Sequence, residues 1–216
     1  MKLFFARHHY ILARYDTLHR AGWMDYITGV KADRNLLLSH GEACQLISAV
    51  KATQKVRGDM AEVGVAYGAS ARLIADHSPE RPLHLFDTFD GLPAPGSGDS
   101  PKFVAGQFKS SLEDVRRYLS ARNVYFYQGL FPSTAGPVED KVFSFVHLDV
   151  DLYESTLASL EFFYPRLSPG AILISHDYLT SEGVNVAFRE FFADKPEPVI
   201  ELTGYQCMFV KLAAGK

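Results

Sequence analysis

The stretch HLDVDLYEST, residues 147–156, begins as a buried strand and ends as a helix. The Val- and Phe-rich residues 142–150 are typical of a strand that is covered on both faces. Where the chain turns it carries two carboxylates, Asp149 and Asp151, which share a face if the strand persists that far. Neighbouring carboxylates repel each other, so the pair indicates a metal ion, a proton transfer or a cationic ligand. A second acidic strand end, at 175–178, can meet the first if the two strands are neighbours.

Strands and helices alternate from Gly58 towards the C-terminus, which predicts a parallel sheet with helices on both faces. The predicted strands are 59–65, 82–88, 124–128, 143–150 and 171–177, and the predicted helices are 70–77, 111–121, 152–167 and 183–193. Pro169 and Gly170 are predicted to end the third of these helices and to turn the chain into the next strand. Two tightly joined strands, 198–202 and 206–212, are predicted to close the sheet as an antiparallel pair.

The N-terminal part lacks the alternation of a strand and is predicted to be helical. Apolar spacing over 40–55 predicts an amphipathic helix, and a further helix is predicted over 3–22, ending near Gly22. The Gly- and Pro-rich segment 90–108 is predicted to be one long loop. The sequence leaves open whether this loop is functional or a tolerated surface insertion.

Length and composition limit the classes of protein that fit. The 216 residues predict a single domain, with 1–57 as capping helices and 58–216 as its α/β core. A net charge of -3 gives no reason to expect nucleic acid or an anionic membrane as partner. No apolar run approaches a membrane span, no signal peptide is recognisable, and Cys44 and Cys207 match no metal spacing. We therefore expect a cytoplasmic protein.

The segment EVGVAYGAS, residues 62–70, lies at a strand-to-helix junction. Gly64 and Gly68 allow the backbone to approach a ligand closely, and the start of the helix exposes its amides. About 20 residues later Asp87 ends a strand, where doubly wound folds hold ribose hydroxyls with a carboxylate. Together these features favour a nucleoside-containing cofactor over a turn and a helix cap that serve packing alone.

Four motifs in this order resemble the macrocin O-methyltransferase family, class I methyltransferases that use S-adenosylmethionine. They are ExGxxxGxS at 62–70, FDTFDGLP at 86–93, HLDVDLYEST at 147–156 and LSPG at 167–170. The resemblance runs from about Gly58 to the C-terminus. It implies a Rossmann-like, doubly wound α/β fold with a seven-stranded sheet, mostly parallel with an antiparallel last strand, and helices on both faces.

The resemblance also implies roles for particular residues. The expected cofactor-binding residues are Glu62, Gly64, Tyr67, Gly68, Ser70, Asp87, Gln128, Gly129 and Asp149. In relatives a divalent metal, usually magnesium, is held by the first Asp of DxD and by an Asp-Asp pair after the following strand. The second Asp of DxD is then the candidate base. The metal ligands accordingly map to Asp149 and Asp177, and the catalytic base maps to Asp151.

This chain departs from its relatives at His176, which stands where they carry the first Asp of the pair. Magnesium gains little from an imidazole ligand, whereas manganese, iron and zinc accept it readily. The sequence leaves four alternatives open. These are a weakened magnesium site, a softer metal at Asp149, His176 and Asp177, no metal with His176 as catalytic base, and a purely structural His176.

The chemistry of the acceptor decides between functions. An alcohol does not ionise at neutral pH, so its methylation needs a base, a Lewis-acidic metal or both. The clustered acids therefore predict O-methylation of a sugar-containing or other small polar acceptor. The alternatives are an N-methyltransferase, a cofactor-binding sensor or interaction subunit without methyl transfer, and a nucleotide-dependent oxidoreductase. The family resemblance adds the expectation of a homodimer.

Overall fold

The computed structural model describes residues 20–120 and 122–213. Two helices come first, α1 (Ala21–Asp33) and α2 (His40–Ala52). They are followed by β1 (Asp59–Val63), α3 (Ala69–Asp76), β2 (Leu83–Asp87), α4 (Leu112–Tyr118), β3 (Val124–Gln128), β4 (Phe143–Leu148), α5 (Tyr153–Phe163), β5 (Leu167–Ser175), α6 (Glu182–Phe191), β6 (Ile200–Glu201) and β7 (Cys207–Val210). Within these ranges no helix has both the length and the apolar character that crossing a membrane requires.

The seven strands form one sheet in the order β3-β2-β1-β4-β5-β7-β6. The five strands from β3 to β5 are parallel, and β7 runs antiparallel to both β5 and β6. The predicted doubly wound fold with its antiparallel last strand is therefore confirmed. Chain order reverses between the central strands β1 and β4, and a crevice forms at such a switch point in open α/β sheets.

Two apolar clusters cover the two faces of the sheet. Met60, Leu85 and Phe145 on one face pack with side chains of α1, α2, α3 and α4. Phe86 and Val146 on the opposite face pack with side chains of α5 and α6. Because side chains alternate along each strand, both faces of the same strands are buried, which explains their almost continuous apolar composition.

Helix α1 corrects one sequence prediction. A helix was expected to end near Gly22, but Gly22 lies in the first turn of α1. Glycine costs about 1 kcal/mol inside a helix, and the burial of Ile27 and Val30 in the core outweighs that penalty. Residues 3–19 of the expected helix lie outside the described residues.

The start of β5 corrects a second prediction. Pro169 and Gly170 do not separate a helix from a strand, because β5 already begins at Leu167. Instead, the pairing of β5 with β4 shifts register between Phe143 and Phe145. Gly170 has a φ of 85°, and proline lacks an amide donor, so both residues suit a bulge.

Gly64 lets the ends of β1 and β4 approach each other. Its φ is 86°, and a Cβ atom there would lie 1.8 Å from the carbonyl oxygen of Asp149. We predict that Gly64→Ala lowers the free energy of unfolding by about 3 kcal/mol or more, measured by urea denaturation. Gly98→Ala is the matched control, since nothing lies within 4 Å of its Cβ position. Equal losses in the two variants would contradict the close approach.

A buried carboxylate, Glu197, anchors the residues that follow β7. It accepts hydrogen bonds from Tyr164 Oη at 2.6 Å, Lys211 Nζ at 2.9 Å and the Leu212 amide at 3.1 Å. Burial opposes its ionisation, but the hydrogen bonds outweigh burial and lower its pKa below the ordinary 4.5. The ionised group therefore stabilises the fold above pH 4.5 and loses this effect as pH falls through its folded-state pKa.

We predict that Glu197→Gln lowers the free energy of unfolding by about 2 kcal/mol at pH 7, because charged hydrogen bonds are lost. The deficit relative to wild type should shrink in urea titrations as pH is lowered below Glu197's ordinary pKa. Exposed Glu201, changed to Gln, is the control and should stay near wild type throughout. A deficit that grows on acidification would refute the assigned direction of the shift.

Candidate active site

A cavity of about 360 Å³ opens at the carboxyl ends of β1, β2, β4 and β5. Its wall combines the turn after β1, the end of β2, parts of the loop 90–108 and the acidic residues that follow β4 and β5. The motifs at 62–70 and 147–156, far apart in sequence, therefore meet at one cavity. This is the switch point where ligands bind in open α/β sheets.

Most of the predicted cofactor-binding residues line this cavity. They are Gly64, Tyr67, Ser70, Asp87, Gly129 and Asp149. Glu62, Gly68 and Gln128 do not line it. Gly68 starts α3 with a φ of 80° and faces Val115 of α4, where a Cβ atom would lie 2.8 Å from a methyl group. Gln128 is exposed at the end of β3.

Glu62 is fully buried beneath the cavity rather than in its wall. Its Oε1 lies 2.8 Å from Nδ1 of His147, the residue opposite it on β4, and neither side chain reaches solvent. Burial raises the pKa of Glu62, and the hydrogen bond with His147 counteracts this increase. The pair supports the central strands from within the core, and a direct contact of Glu62 with a cofactor stays a prediction.

Asp87 holds the turn after β1 in place. Its Oδ2 accepts hydrogen bonds from the amides of Val65 at 2.7 Å and Ala66 at 2.8 Å. Its Oδ1 accepts from the amide of Phe89 at 2.6 Å. Sequence reasoning assigned this carboxylate to ribose hydroxyls and missed its backbone partners. Each carboxylate oxygen has two lone pairs, so Oδ2 is saturated and Oδ1 can accept one further hydrogen bond.

The acidic strand ends meet at the far end of the cavity. Nδ1 of His176 donates to Asp177 Oδ2 at 2.7 Å and lies 3.3 Å from Asp149 Oδ1. Thr180 Oγ1 donates to the other oxygen of Asp177 at 2.8 Å. Burial opposes ionisation of Asp177, but the hydrogen bonds from His176 and Thr180 lower its pKa to about 2.

Asp151 is the least exposed of the three aspartates at the strand ends. It is 9% exposed and has a φ of 62°, a strained conformation for a residue with a side chain. Burial first, then the charges of Asp149 and Asp177, raises its pKa to about 9. With this pKa, Asp151 holds a proton at neutral pH unless further positive charge faces the three aspartates.

A fourth carboxylate, Glu42 of α2, reaches the same cluster. Its Oε1 lies 3.5 Å from Nε2 of His176, on the side of the ring away from Asp149 and Asp177. Burial opposes a charged His176, but Asp149, Asp177 and Glu42 raise its pKa well above the ordinary value. Sequence reasoning missed Glu42. The pattern SHGE at 39–42 indicates a capping box, which gives no sign of a contact with a strand end.

The loop 90–108 is fixed over the cavity. Oδ1 of Asp99 accepts a hydrogen bond from the Tyr153 amide at 2.8 Å and so caps α5, whose own N-cap residue makes no side-chain bond. Phe103 is buried and lines the cavity together with Lys102. Of the two alternatives for this loop, the lining favours a functional role.

Comparison with known proteins places the chain in a family. Residues 41–210 match the family described as Macrocin-O-methyltransferase (TylF). The chain is a macrocin O-methyltransferase family member. It is 36% identical over 141 residues to 8-demethyl-8-(2,3-dimethoxy-alpha-L-rhamnosyl)-tetracenomycin-C 4'-O-methyltransferase of Streptomyces olivaceus, covering 57% of this chain and 54% of the relative. Demethyldecarbamoylnovobiocin O-methyltransferase of Streptomyces niveus is 31% identical over 156 residues, covering 64% and 59%. The chain thus spans less than two thirds of the length of these curated relatives.

Solved structures of O-methyltransferases share the fold. The O-methyltransferase NovP is similar with a TM-score of 0.74 and 24% identity, covering 84% of both chains. The calicheamicin methyltransferase CalS11 is similar with a TM-score of 0.67 and 21% identity, covering 91% of this chain and 94% of CalS11. At these identities the likeness establishes the architecture of this family member and nothing finer.

Three residues of the acidic cluster are spaced to hold the divalent metal that the family resemblance implies. Asp149, His176 and Asp177 each offer one ligand atom, and these atoms lie within 4.8 Å of one another. That spacing fits one ion at ordinary bond lengths of about 2.0–2.3 Å. Two carboxylate oxygens with one imidazole nitrogen suit a borderline cation such as Mn²⁺ better than Mg²⁺. The donor set of this family member therefore fits a divalent cation and favours Mn²⁺ over Mg²⁺.

We predict that Asp87→Ala loosens the turn after β1. Loss of three charge-assisted hydrogen bonds should lower the free energy of unfolding by about 2 kcal/mol and accelerate amide exchange at Val65 and Ala66. Asp90→Ala is the matched control, because Asp90 is 76% exposed and pairs only with exposed Lys109. Unchanged exchange at both amides in Asp87→Ala would contradict the proposed anchoring.

Proposed function

We propose that this chain is an S-adenosylmethionine-dependent O-methyltransferase that methylates a hydroxyl of a sugar-containing acceptor. The observation that carries the proposal is the meeting of Asp149, Asp151 and Asp177 at one end of the cavity that the turn after β1 lines. A hydroxyl acceptor requires such groups, because it must lose its proton during transfer.

The cavity suits the cofactor in size and chemistry. Its volume of about 360 Å³ lies in the range of small-molecule sites. Gly64 lets the turn after β1 pack directly on the Asp149 backbone, so the two motifs form one continuous wall, and Asp87 lies in the same wall. We propose that the ribose lies near Asp87 and that the sulfonium methyl group points towards Asp151.

Methyl transfer from a sulfonium is an in-line displacement, so the protein mainly positions the reactants and deprotonates the acceptor. Asp151 is the proposed base. A divalent cation held by Asp149, His176 and Asp177 would polarise the acceptor hydroxyl and compensate the charges around Asp151. Asp151 would then be ionised and able to take the hydroxyl proton. His176 is the less suitable base, since the ring nitrogen that faces Asp149 and Asp177 would be bound to the cation.

The acceptor class is inferred from a relative and from the site. One similar protein is named as a methyltransferase of a rhamnosyl-tetracenomycin, which favours a sugar hydroxyl here. An amine acceptor is disfavoured, because neighbouring carboxylates would hold it in the protonated, non-nucleophilic form. We propose, in addition, that the helices α1 and α2 and the loop 90–108 choose among acceptors, since the segment 35–38 that joins the two helices and parts of the loop line the cavity.

We predict that Asp151→Asn keeps the affinity for S-adenosylhomocysteine within about threefold while turnover falls at least about 10²-fold, because a general base is lost. Calorimetry measures the affinity, and mass spectrometry of methylated product measures turnover with a nucleotide-linked rhamnose and rhamnosylated aromatic compounds. Exposed Asp140, changed to Asn, is the control. Absence of binding by wild type would contradict the methyltransferase proposal, and undiminished turnover of Asp151→Asn would contradict the base assignment alone.

A further inference from the structure

The side chain of Glu42 is buried and is held in place by hydrogen bonds from two backbone amides. Its carboxylate is 2% exposed although it belongs to an N-terminal helix. Oε2 accepts the Ser39 amide at 2.7 Å, and Oε1 accepts the Tyr205 amide at 2.8 Å. The turn before β7 passes so close that a Cβ atom at Gly204 would lie 2.5 Å from Oε1. A helix start and a hairpin turn therefore fix this carboxylate in one place.

The carboxylate of Glu42 faces a buried ring nitrogen of His176. Nε2 of His176 is buried and makes no hydrogen bond with the residues that the structure describes, and Glu42 Oε1 lies 3.5 Å from it. On the opposite side of the ring, Nδ1 faces Asp149 and Asp177. His176 is thus bracketed, with one fixed carboxylate behind it and the candidate cation site in front.

Bracketing of this kind has a known physical consequence. A neutral imidazole carries its proton on one nitrogen and a lone pair on the other, and a hydrogen bond to one nitrogen selects the tautomer. Metal-binding histidines commonly donate their second N–H to a carboxylate, which orients the ring and increases its basicity. Glu42 can accept from Nε2 after a shift of a few tenths of an ångström, leaving Nδ1 free to bind a cation.

We propose that Glu42 is a positioning residue that, through His176, gives this site a nitrogen ligand and a preference for Mn²⁺ over Mg²⁺. The proposal rests on the proposed function, because it deepens the same cation site. It concerns residues of the N-terminal helix and the hairpin turn, neither of which belongs to the DxD or His-Asp segments. An aspartate in place of His176 would have no use for a carboxylate at this position.

The test uses the whole chain without cofactor, with Mn²⁺ and Mg²⁺ as probes. Titration with Mn²⁺ is followed by electron paramagnetic resonance, and Mg²⁺, which gives no signal, is measured by its displacement of Mn²⁺. The dissociation constant for Mn²⁺ should be at least about 10-fold below that for Mg²⁺. Electron spin-echo modulation should show coupling of Mn²⁺ to the ¹⁴N of an imidazole, replaced by ¹⁵N coupling after labelling of histidine. In Glu42→Gln, Mn²⁺ affinity should fall about 10- to 100-fold, as it does when such outer carboxylates are lost.

Ser39→Ala is the matched control. It removes the hydroxyl that accepts the Glu42 amide at 3.3 Å, so it weakens the same helix start while leaving the carboxylate beside His176. Its Mn²⁺ affinity should stay within about twofold of wild type. If Glu42→Gln does not fold, Glu42→Asp replaces it, since the shorter side chain keeps the charge and withdraws it from Nε2. His176→Asp should shift the preference towards Mg²⁺.

Three results would overturn the proposal: Mn²⁺ bound without imidazole coupling, a loss of affinity in Ser39→Ala as large as in Glu42→Gln, or no metal binding at all. In the last case a charged His176 takes the place of the cation. Binding of S-adenosylhomocysteine is measured separately. Retained cofactor binding with any of these results defeats the proposal on Glu42 alone, whereas loss of cofactor binding by wild type defeats the proposed function.

Discussion

Repulsion among Asp149, Asp151 and Asp177 is the constraint on which the rest of the structure depends. Three acids at the ends of two neighbouring strands cannot all be ionised in a buried place unless positive charge or hydrogen-bond donors face them. His176 and Thr180 supply donors to one of them, whereas burial and the charges of Asp149 and Asp177 raise the pKa of Asp151. A bound cation would offset the repulsion among these aspartates, and Asp151 would then be able to accept the proton of a reacting hydroxyl.

Backbone conformation, a hydrogen bond and the buried strands hold the three aspartates in this unfavourable arrangement. Asp151 and Asp177 both have positive φ, and the Ser181 hydroxyl donates to the Asp151 carbonyl oxygen at 2.8 Å. The strand segments beneath them, β4 and residues 171–175 of β5, are buried throughout, and Gly64 allows the neighbouring turn to pack directly on the Asp149 backbone. Strain at a site persists only where the surroundings determine it fully, and the close-packed core provides that.

Much of the fold and part of the site follow from sequence. Alternating strand and helix patterns predicted the order of elements, because parallel strands are joined by crossover connections that are usually helical. The spacing of Asp149 and Asp151, and the acid of the next strand, predicted a cluster that the sheet brings together. Gly64 and Asp87 both line the cavity, and their binding of a cofactor stays a prediction.

What sequence reasoning missed depends on contacts between distant segments. Glu42 joins His176 across the fold, and Asp99 caps α5 from a loop that has no regular structure. Local patterns explain both residues as caps or loop residues, since nothing nearby in sequence reveals the partner. Glu62 pairs with His147 on the neighbouring strand, a contact that the local pattern does not reveal, and its binding of a cofactor stays a prediction.

The central claim is that one end of the cavity holds a methyl donor against a hydroxyl activated by the acidic cluster. Crystals of the chain with S-adenosylhomocysteine and Mn²⁺, measured for anomalous scattering at the manganese edge, test it most directly. We expect the cofactor sulfur to point towards Asp151. We also expect one manganese peak about 2.0–2.3 Å from ligand atoms of Asp149, Asp177 and His176. A cofactor bound elsewhere, or no peak with His176 still donating to Asp177, would contradict it.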